Sequence, residues 1–214
     1  MSSDTDDVLC ARLLGLPTDD GRNPFIVGLG GTTRENSSSE LALRFALNAA
    51  RELGADTELF AAAALDLPLY AEDRRLRSPA AVRLVAALAR ADGVIVSSPG
   101  YHGGVSGLVK NALDYIEDLR DHARPYLEDR AVGCIVTAYG WQATTTTLVS
   151  LRSTVHALRG WPTPLGVVIN SAGAVFDERG GVVDDRCAVQ LRTLSSQVVQ
   201  FARARADLTQ KVCP

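Results

Sequence analysis

The sequence predicts an α/β protein: a five-stranded parallel sheet in strand order 2-1-3-4-5, with helices on both faces in a three-layer sandwich. Three observations predict it. Short apolar runs alternate with stretches of roughly 10–20 residues that carry helical periodicity, the signature of βαβ units. The runs are almost unbroken in apolar character, as strands buried on both faces are. A length of 214 residues with 46% hydrophobic and 22% charged composition suits an ordered domain and excludes a disordered chain. Right-handed crossovers then make 2-1-3-4-5 the economical order.

Taken in order, residues 1–24 read as an N-terminal extension, acidic at first, then carrying leucines, and closed by Pro17, Gly21 and Pro24. Residues 25–214 form the domain. Phe25 to Gly30 is the first strand. Ser37 to Leu53 follows as a helix, with Leu41, Phe45, Leu47 and Leu53 near helical spacing and Gly54 as its stop. Thr57 to Phe60 is the second strand. Ser78 caps the next helix, with Pro79 in its first turn and Val82, Val85, Ala86 and Leu88 along one face. Gly93 to Ser97 is the third strand, and Ser106 to Leu119 the helix after it. Ala131 to Thr137 is the fourth strand, Gln142 to Leu158 a helix, Thr163 to Ile169 the fifth strand, and Asp184 to Ala206 the closing helix.

Charge and composition narrow the function classes. With 22 Lys+Arg against 25 Asp+Glu the net charge is −3, which argues against nucleic acid or an anionic membrane as partner, because both call for a basic face. No apolar run approaches the roughly 18–20 residues of a membrane span, and the acidic start lacks the basic and apolar regions of a secretory signal. A cytoplasmic protein is expected. Cys10, Cys134, Cys187 and Cys213 form no C-x-x-C pair and have no histidine at zinc spacing, so they read as core fillers or free thiols, with no metal site.

In an open α/β sheet, ligands bind beyond the carboxyl ends of the strands, where the strand order reverses. Three loops lie there. The first, Gly30 to Ser39, gathers six hydroxyl or amide side chains, Arg34 and the free N–H groups of a helix start. That donor set suits a phosphate. The dinucleotide pattern G-x-G-x-x-G fails at Thr33 and no Gly-Lys-Ser/Thr follows, so a terminal monophosphate fits better than a pyrophosphate; plain helix capping is the competing account of the hydroxyls. The second loop, Ser97 to Gly107, is rich in glycine, which lets backbone approach a flat ligand, and carries Tyr101 and His102. His102 reads equally as a donor to a ring or as a solvated side chain. Lys110 and Asp114 sit four apart on a helix, the spacing of an ion pair. The third loop holds Tyr139, Gly140 and Trp141.

At the first two loops the sequence resembles the NADPH-dependent FMN reductase family of flavodoxin-like flavoproteins. Gly31-Thr32-Thr33-Arg34-Glu35-Asn36-Ser37 follows that family's G-S-x-R-x-x-S, with Thr32 for the first serine. Ser98-Pro99-Gly100-Tyr101-His102-Gly103-Gly104 follows S-P-E-Y-N-G-S, and Lys110-Asn111-Ala112-Leu113-Asp114 follows K-N-A-x-D, over about Phe25 to Ile169. Gly100 stands where glutamate is usual and His102 where asparagine is usual, and the third loop lacks the usual glycine pair.

The resemblance implies a flavodoxin-like fold and FMN at the carboxyl edge of the sheet. The phosphate would lie on Thr32, Arg34, Ser37, Ser38 and Ser39, and the isoalloxazine against Pro99, Gly100, Tyr101, His102, Gly103 and Gly104. Tyr139, Gly140 and Trp141 would flank it, stacking on the flavin or walling an aromatic substrate, unless Trp141 packs at a subunit contact. The implied activity is hydride transfer from NADPH or NADH to FMN and on to free flavin, a quinone or another small-molecule electron acceptor, with no side chain acting as nucleophile or acid–base pair. Implied partners are a flavin-dependent monooxygenase fed with reduced flavin and further copies of the chain in a homodimer or homotetramer. The alternatives are a flavin-dependent tailoring enzyme acting on an aromatic metabolite, a flavodoxin-type electron carrier, and a hydrolase or phosphate-binding regulator on the same fold. The basic run Arg74, Arg75 and Arg77 reads either as a 2′-phosphate contact or as solvated surface.

Overall fold

The computed structural model describes residues 22–73 and 76–212. The reading of residues 1–21, together with Cys10, Arg74, Arg75 and Cys213, falls outside the described residues. Residues 22–24 already engage the domain: Arg22 makes two bonds to the Asp92 carboxylate, at 2.7 and 2.9 Å, and the Pro24 carbonyl accepts from Asp56 N–H at 2.9 Å.

The strands are β1 (Phe25–Gly30), β2 (Asp56–Phe60), β3 (Gly93–Tyr101), β4 (Gly104–Val105), β5 (Ala131–Ala138), β6 (Trp161–Pro162) and β7 (Val167–Asn170). The helices are α1 (Ser38–Glu52), α2 (Pro79–Arg90), α3 (Gly107–Asp114), α4 (Trp141–Ala157) and α5 (Asp185–Val212). The sheet runs β2-β1-β3-β5 and ends on β6 and β7, all parallel. Spatially this is the expected 2-1-3-4-5 order, with two refinements. The fifth strand is broken in two, β6 opposite Ala131–Val132 and β7 opposite Ile135–Ala138. Pro162 and Pro164 lack the N–H a continuous ladder needs, and the intervening Thr163 turns its hydroxyl onto Leu165 O at 2.8 Å. The third strand runs on to Tyr101 and folds back into β4, a short antiparallel hairpin beyond the parallel sheet.

Side-chain alternation along the strands separates two cores. Val27, Leu29, Val94, Val96, Val132, Cys134 and Val136 face α2, α3 and α4. Ile26, Ile95, Ile135, Val167 and Ile169 face α1 and α5. On that second face Gly28 lets α1 press close, since a Cβ there would stand 2.6 Å from Leu47 Cδ1.

Serine hydroxyls fix three helix starts: Ser37 accepts from Glu40 N–H, Ser78 from Ala81 N–H and Ser106 from Val109 N–H. The helix expected from Ser106 to Leu119 is α-helical only to Asp114 and tightens to a 3-10 turn over Tyr115–Leu119. There Tyr115 is buried and its hydroxyl donates to Pro68 O at 2.9 Å. The Lys110–Asp114 ion pair forms at 2.6 Å, and Asn111 clasps the chain after β2 through Leu67 O, Pro68 O and Tyr70 N–H.

The amino edge of the sheet is closed by Arg130, which is fully buried. Its guanidinium donates to the carbonyls of Ala91, Tyr126, Glu128 and Ala89. Burial, reinforced by the neighbouring charge of Arg124, pushes its pKa down to about 9, so it remains a cation at neutral pH, solvated by backbone dipoles.

Candidate functional site at the carboxyl edge of the sheet

β1, β3 and β5 end side by side, with Gly30 opposite Ser97 and Pro99 opposite Thr137. The chain leaves β1 towards one edge of the sheet and β3 towards the other, and the diverging loops leave a cleft of about 330 Å³. That lies at the small end of the roughly 300–1,000 Å³ of ligand pockets.

The first wall starts at Gly30, where φ is 149° and a Cβ would collide with Ser97 O. Gly31, at φ 103°, donates its N–H to that same oxygen at 3.0 Å. These two residues turn the chain out of the strand and into the cleft. Thr32 braces the loop, its hydroxyl accepting from Arg34 N–H at 3.1 Å and donating to Arg34 O at 3.0 Å. Thr32, Arg34, Ser37, Ser38 and Ser39 all line the cleft. Ser37 and Ser39 touch at 3.3 Å between hydroxyls, and the Ser97 hydroxyl donates to Ser39 O at 2.7 Å. The Arg34 guanidinium is exposed and has no partner among the described residues.

The second wall is the β3–β4 hairpin. Pro99, Gly100, Tyr101 and His102 line the cleft; Gly103 and Gly104 lie beside it without lining it. His102 and Gly103 hold φ of 52° and 79°, the two left-handed centres of a type I′ hairpin turn. Gly100 has a packing reason. A Cβ there would meet Thr147 Oγ1 at 2.9 Å, Ala138 Cβ at 3.2 Å and Ala143 O at 3.2 Å. With α4 pressed this close there is no room for the glutamate that the resembled pattern carries.

The third wall is Thr137, Ala138 and Tyr139, joined by Ser171 after β7. Gly140, at φ 133°, starts α4 without a side-chain cap, so the first turn keeps its N–H groups free of side-chain acceptors. Gly140 and Trp141 do not line the cleft. The Trp141 ring is 62% exposed and its carbonyl receives the hydroxyls of Thr144 and Thr145. Tyr139 and Tyr101 rise at the mouth, 86% and 57% exposed. Sequence reasoning missed Thr137, Ala138 and Ser171. The register could have found the first two, since Thr137 pairs with Pro99, and the Ser171 N–H is tied to Ala138 O at 2.9 Å.

Of the arginine run, Arg77 is committed elsewhere. It chelates Asp118 with two bonds of 2.7 Å and lies 4.7 Å from the Tyr70 ring centre. Among the described residues lining the cleft there is no carboxylate, and Arg34 is the one fixed cation. The site therefore favours an anionic group at its hydroxyl end and a flat, partly aromatic surface at its mouth.

A family model described as NADPH-dependent FMN reductase matches residues 24–174. An NADPH azoreductase of Bacillus sp. strain OY1-2 is 29% identical over 124 residues, covering 58% of this chain and 66% of its own length. An NAD(P)H-dependent FMN reductase of Pseudomonas aeruginosa is 28% identical over 164 residues, covering 75% and 85%. Among solved structures, a flavoenzyme NAD(P)H:(acceptor) oxidoreductase from Paracoccus denitrificans superposes with a TM-score of 0.69 at 19% identity, covering 85% of this chain and 98% of that one, a likeness of fold.

Proposed function

Since the chain belongs to the NADPH-dependent FMN reductase family, we propose that its cleft holds FMN and that NADPH or NADH reduces a small electron acceptor there by way of the flavin. The observation that carries this reading is the asymmetry of the cleft: hydroxyls and an uncommitted arginine at one end, backbone and tyrosine rings at the other. The residues fit the group. Thr32, Arg34, Ser37, Ser38 and Ser39 supply the donors a terminal phosphate needs, and Pro99 to His102 with Tyr139 offer the close backbone and aromatic surface a flat ring system needs.

Bound FMN supplies the hydride chemistry; the protein supplies position and electrostatics. Arg34 and the serines would hold one end of the group and the hairpin would meet the other. The first turn of α4 has no side-chain cap, so its N–H groups would be free to stabilise negative charge developing near that helix start. Tyr101 and Tyr139 flank the opening through which both nicotinamide and acceptor enter, favouring flat acceptors such as free flavin, a quinone or an azo compound.

The same reading includes a flavin-dependent monooxygenase as a taker of reduced flavin, a cytoplasmic setting, and residues 25–214 as the FMN-binding domain behind an extension at 1–24. It also includes a homodimer or homotetramer, supported by the exposed Tyr139, Trp141 and Val149. No helix among the described residues is long and apolar enough to cross a membrane.

Aerobic oxidation of NADPH and NADH, with FMN, FAD, a quinone and an azo dye compared in parallel, tests the activity. The expected result is catalytic NAD(P)H consumption that depends on FMN and rises with at least one flat acceptor. A protein that neither quenches FMN fluorescence nor oxidises NAD(P)H in its presence contradicts the proposal.

A further inference from the structure

The loop from Thr32 to Ser39 is a thin wall with space on both sides. In front lies the cleft, lined by Thr32, Arg34 and the three serines; behind lies a second hollow of about 320 Å³, lined by Glu35, Asn36, Glu40, Arg44 and the turn after β2. The chain thus passes from front to back at Glu35 and returns to the front at Ser37. The turning point is Asn36, held at φ 55°.

One bond ties that turning point to the rest of the domain. Asn36 N–H donates to Glu40 Oε2 at 3.1 Å, while Glu40 Oε1 accepts from Arg44 Nε at 2.9 Å and from an Arg44 terminal nitrogen at 2.6 Å. Glu40 is 1% exposed, whereas the Arg44 side chain is 52% exposed. Between Thr32 and Asn36, the other hydrogen bonds among the described residues run within the loop itself, from Thr32 to Arg34. Nothing packed stands behind the wall to replace the tie. A buried carboxylate next to a phosphate-type cradle is electrostatically adverse unless its charge is paired, and Arg44 provides the pairing.

We infer that Glu40 is the positioning residue of the anion cradle: it holds Asn36 from behind so that Arg34 and the serines face the cleft, and Arg44 neutralises it so that this support does not repel the anion. The inference rests on the reading of the cradle as a phosphate site. It gives Glu40 two separable roles. The hydrogen-bond acceptor keeps the loop from sagging into the rear hollow, and the ion pair keeps the local charge near zero. Ser37 and Glu40 also satisfy the S-x-x-E pattern of a helix start, but here the carboxylate reaches one residue further back than in the usual capping box, to Asn36 instead of the capping serine.

The test is fluorescence titration of FMN and of riboflavin, which lacks the phosphate, against wild type, Glu40→Ala, Glu40→Gln, Arg44→Ala and the Glu40→Gln/Arg44→Ala double variant. Glu40→Ala is expected to weaken FMN at least tenfold and riboflavin less than threefold. Glu40→Gln keeps an acceptor for Asn36 N–H and should bind FMN within threefold of wild type. Arg44→Ala leaves an unpaired buried carboxylate and should weaken FMN about tenfold, and the double variant should recover most of that loss. Equal weakening of FMN and riboflavin by Glu40→Ala, or equal FMN affinity in Arg44→Ala and the double variant, overturns the inference. Wild type that binds riboflavin as tightly as FMN overturns the phosphate reading itself, and this inference with it.

Discussion

Arg34 and Arg130 sit at opposite ends of one sheet and show what separates an uncommitted arginine from a structural one. Arg130, just before β5, is sealed at the amino edge with all of its guanidinium nitrogens on carbonyl oxygens. Arg34, in the loop after β1, is exposed at the carboxyl edge beside hydroxyls, with no partner among the described residues for its guanidinium. Both carry the same charge on the same side chain. In a parallel sheet the strands' free carbonyl groups and helix N-termini gather at the carboxyl edge, so a cation and donors left uncommitted there are available to a ligand. At the amino edge the same cation is consumed by turns and strand entries.

The contrast can be broken first at its structural end. Arg130→Ala strands several buried carbonyls and should cost at least about 3 kcal/mol of stability in chemical denaturation, without selectively changing FMN over riboflavin binding. A loss below about 1 kcal/mol would mean that water replaces the guanidinium. Next in size is an alkaline effect in the core. Burial pushes the Cys134 thiol up to about 12 from its ordinary value near 9. Above pH 9 the unfolded chain loses this proton while the folded chain keeps it, so stability falls with rising pH by about 1.4 kcal/mol per pH unit from this group. Comparing pH 9 with pH 11, the loss should be smaller in Cys134→Ala than in wild type by roughly 2–3 kcal/mol, that slope taken over the two-unit interval; identical slopes would show that the thiol does not contribute.

At the cleft, Gly100→Ala should cost about 1–3 kcal/mol, because its Cβ meets α4 at Thr147 and Ala143 and β5 at Ala138. A neutral result would mean that the hairpin lifts freely from the helix. The smallest effect is expected at the turn. His102→Asn puts a residue better suited to φ 52° at the first centre of the hairpin and should change stability by no more than a few tenths of a kcal/mol, on the stabilising side; a loss above about 1 kcal/mol would assign the imidazole a packing role.

The fold was legible because its signals are local: apolar strand runs, serine caps and glycine stops each act within a few residues. The break between β6 and β7 was written in Pro162 and Pro164, but the surrounding Thr163 to Ile169 pattern still looks like one strand. The hairpin at Tyr101 to Gly104 escaped because its turn is His-Gly instead of the usual Asn-Gly. The cleft wall after β1 was legible as composition, since hydroxyls and an arginine at a helix start are meaningful wherever the helix lies. Thr137, Ala138 and Ser171 were not, because strand register and a β7 partner bring them to the cleft. Trp141 does not line the cleft: it is the first residue of α4, its side chain is exposed, and its carbonyl takes part in the local hydrogen bonding. Glu40 and Arg44 look like an ordinary i,i+4 helix pair, and their link to Asn36 emerges only once the loop folds back over them.

If the loop after β1 reads a phosphate, the ratio of FMN to riboflavin affinity must differ between wild type and Arg34→Ala. Wild type should show a clear FMN preference that falls about tenfold in the variant, roughly 1.4 kcal/mol, with riboflavin affinity and thermal stability unchanged. An unaltered ratio in Arg34→Ala would contradict it.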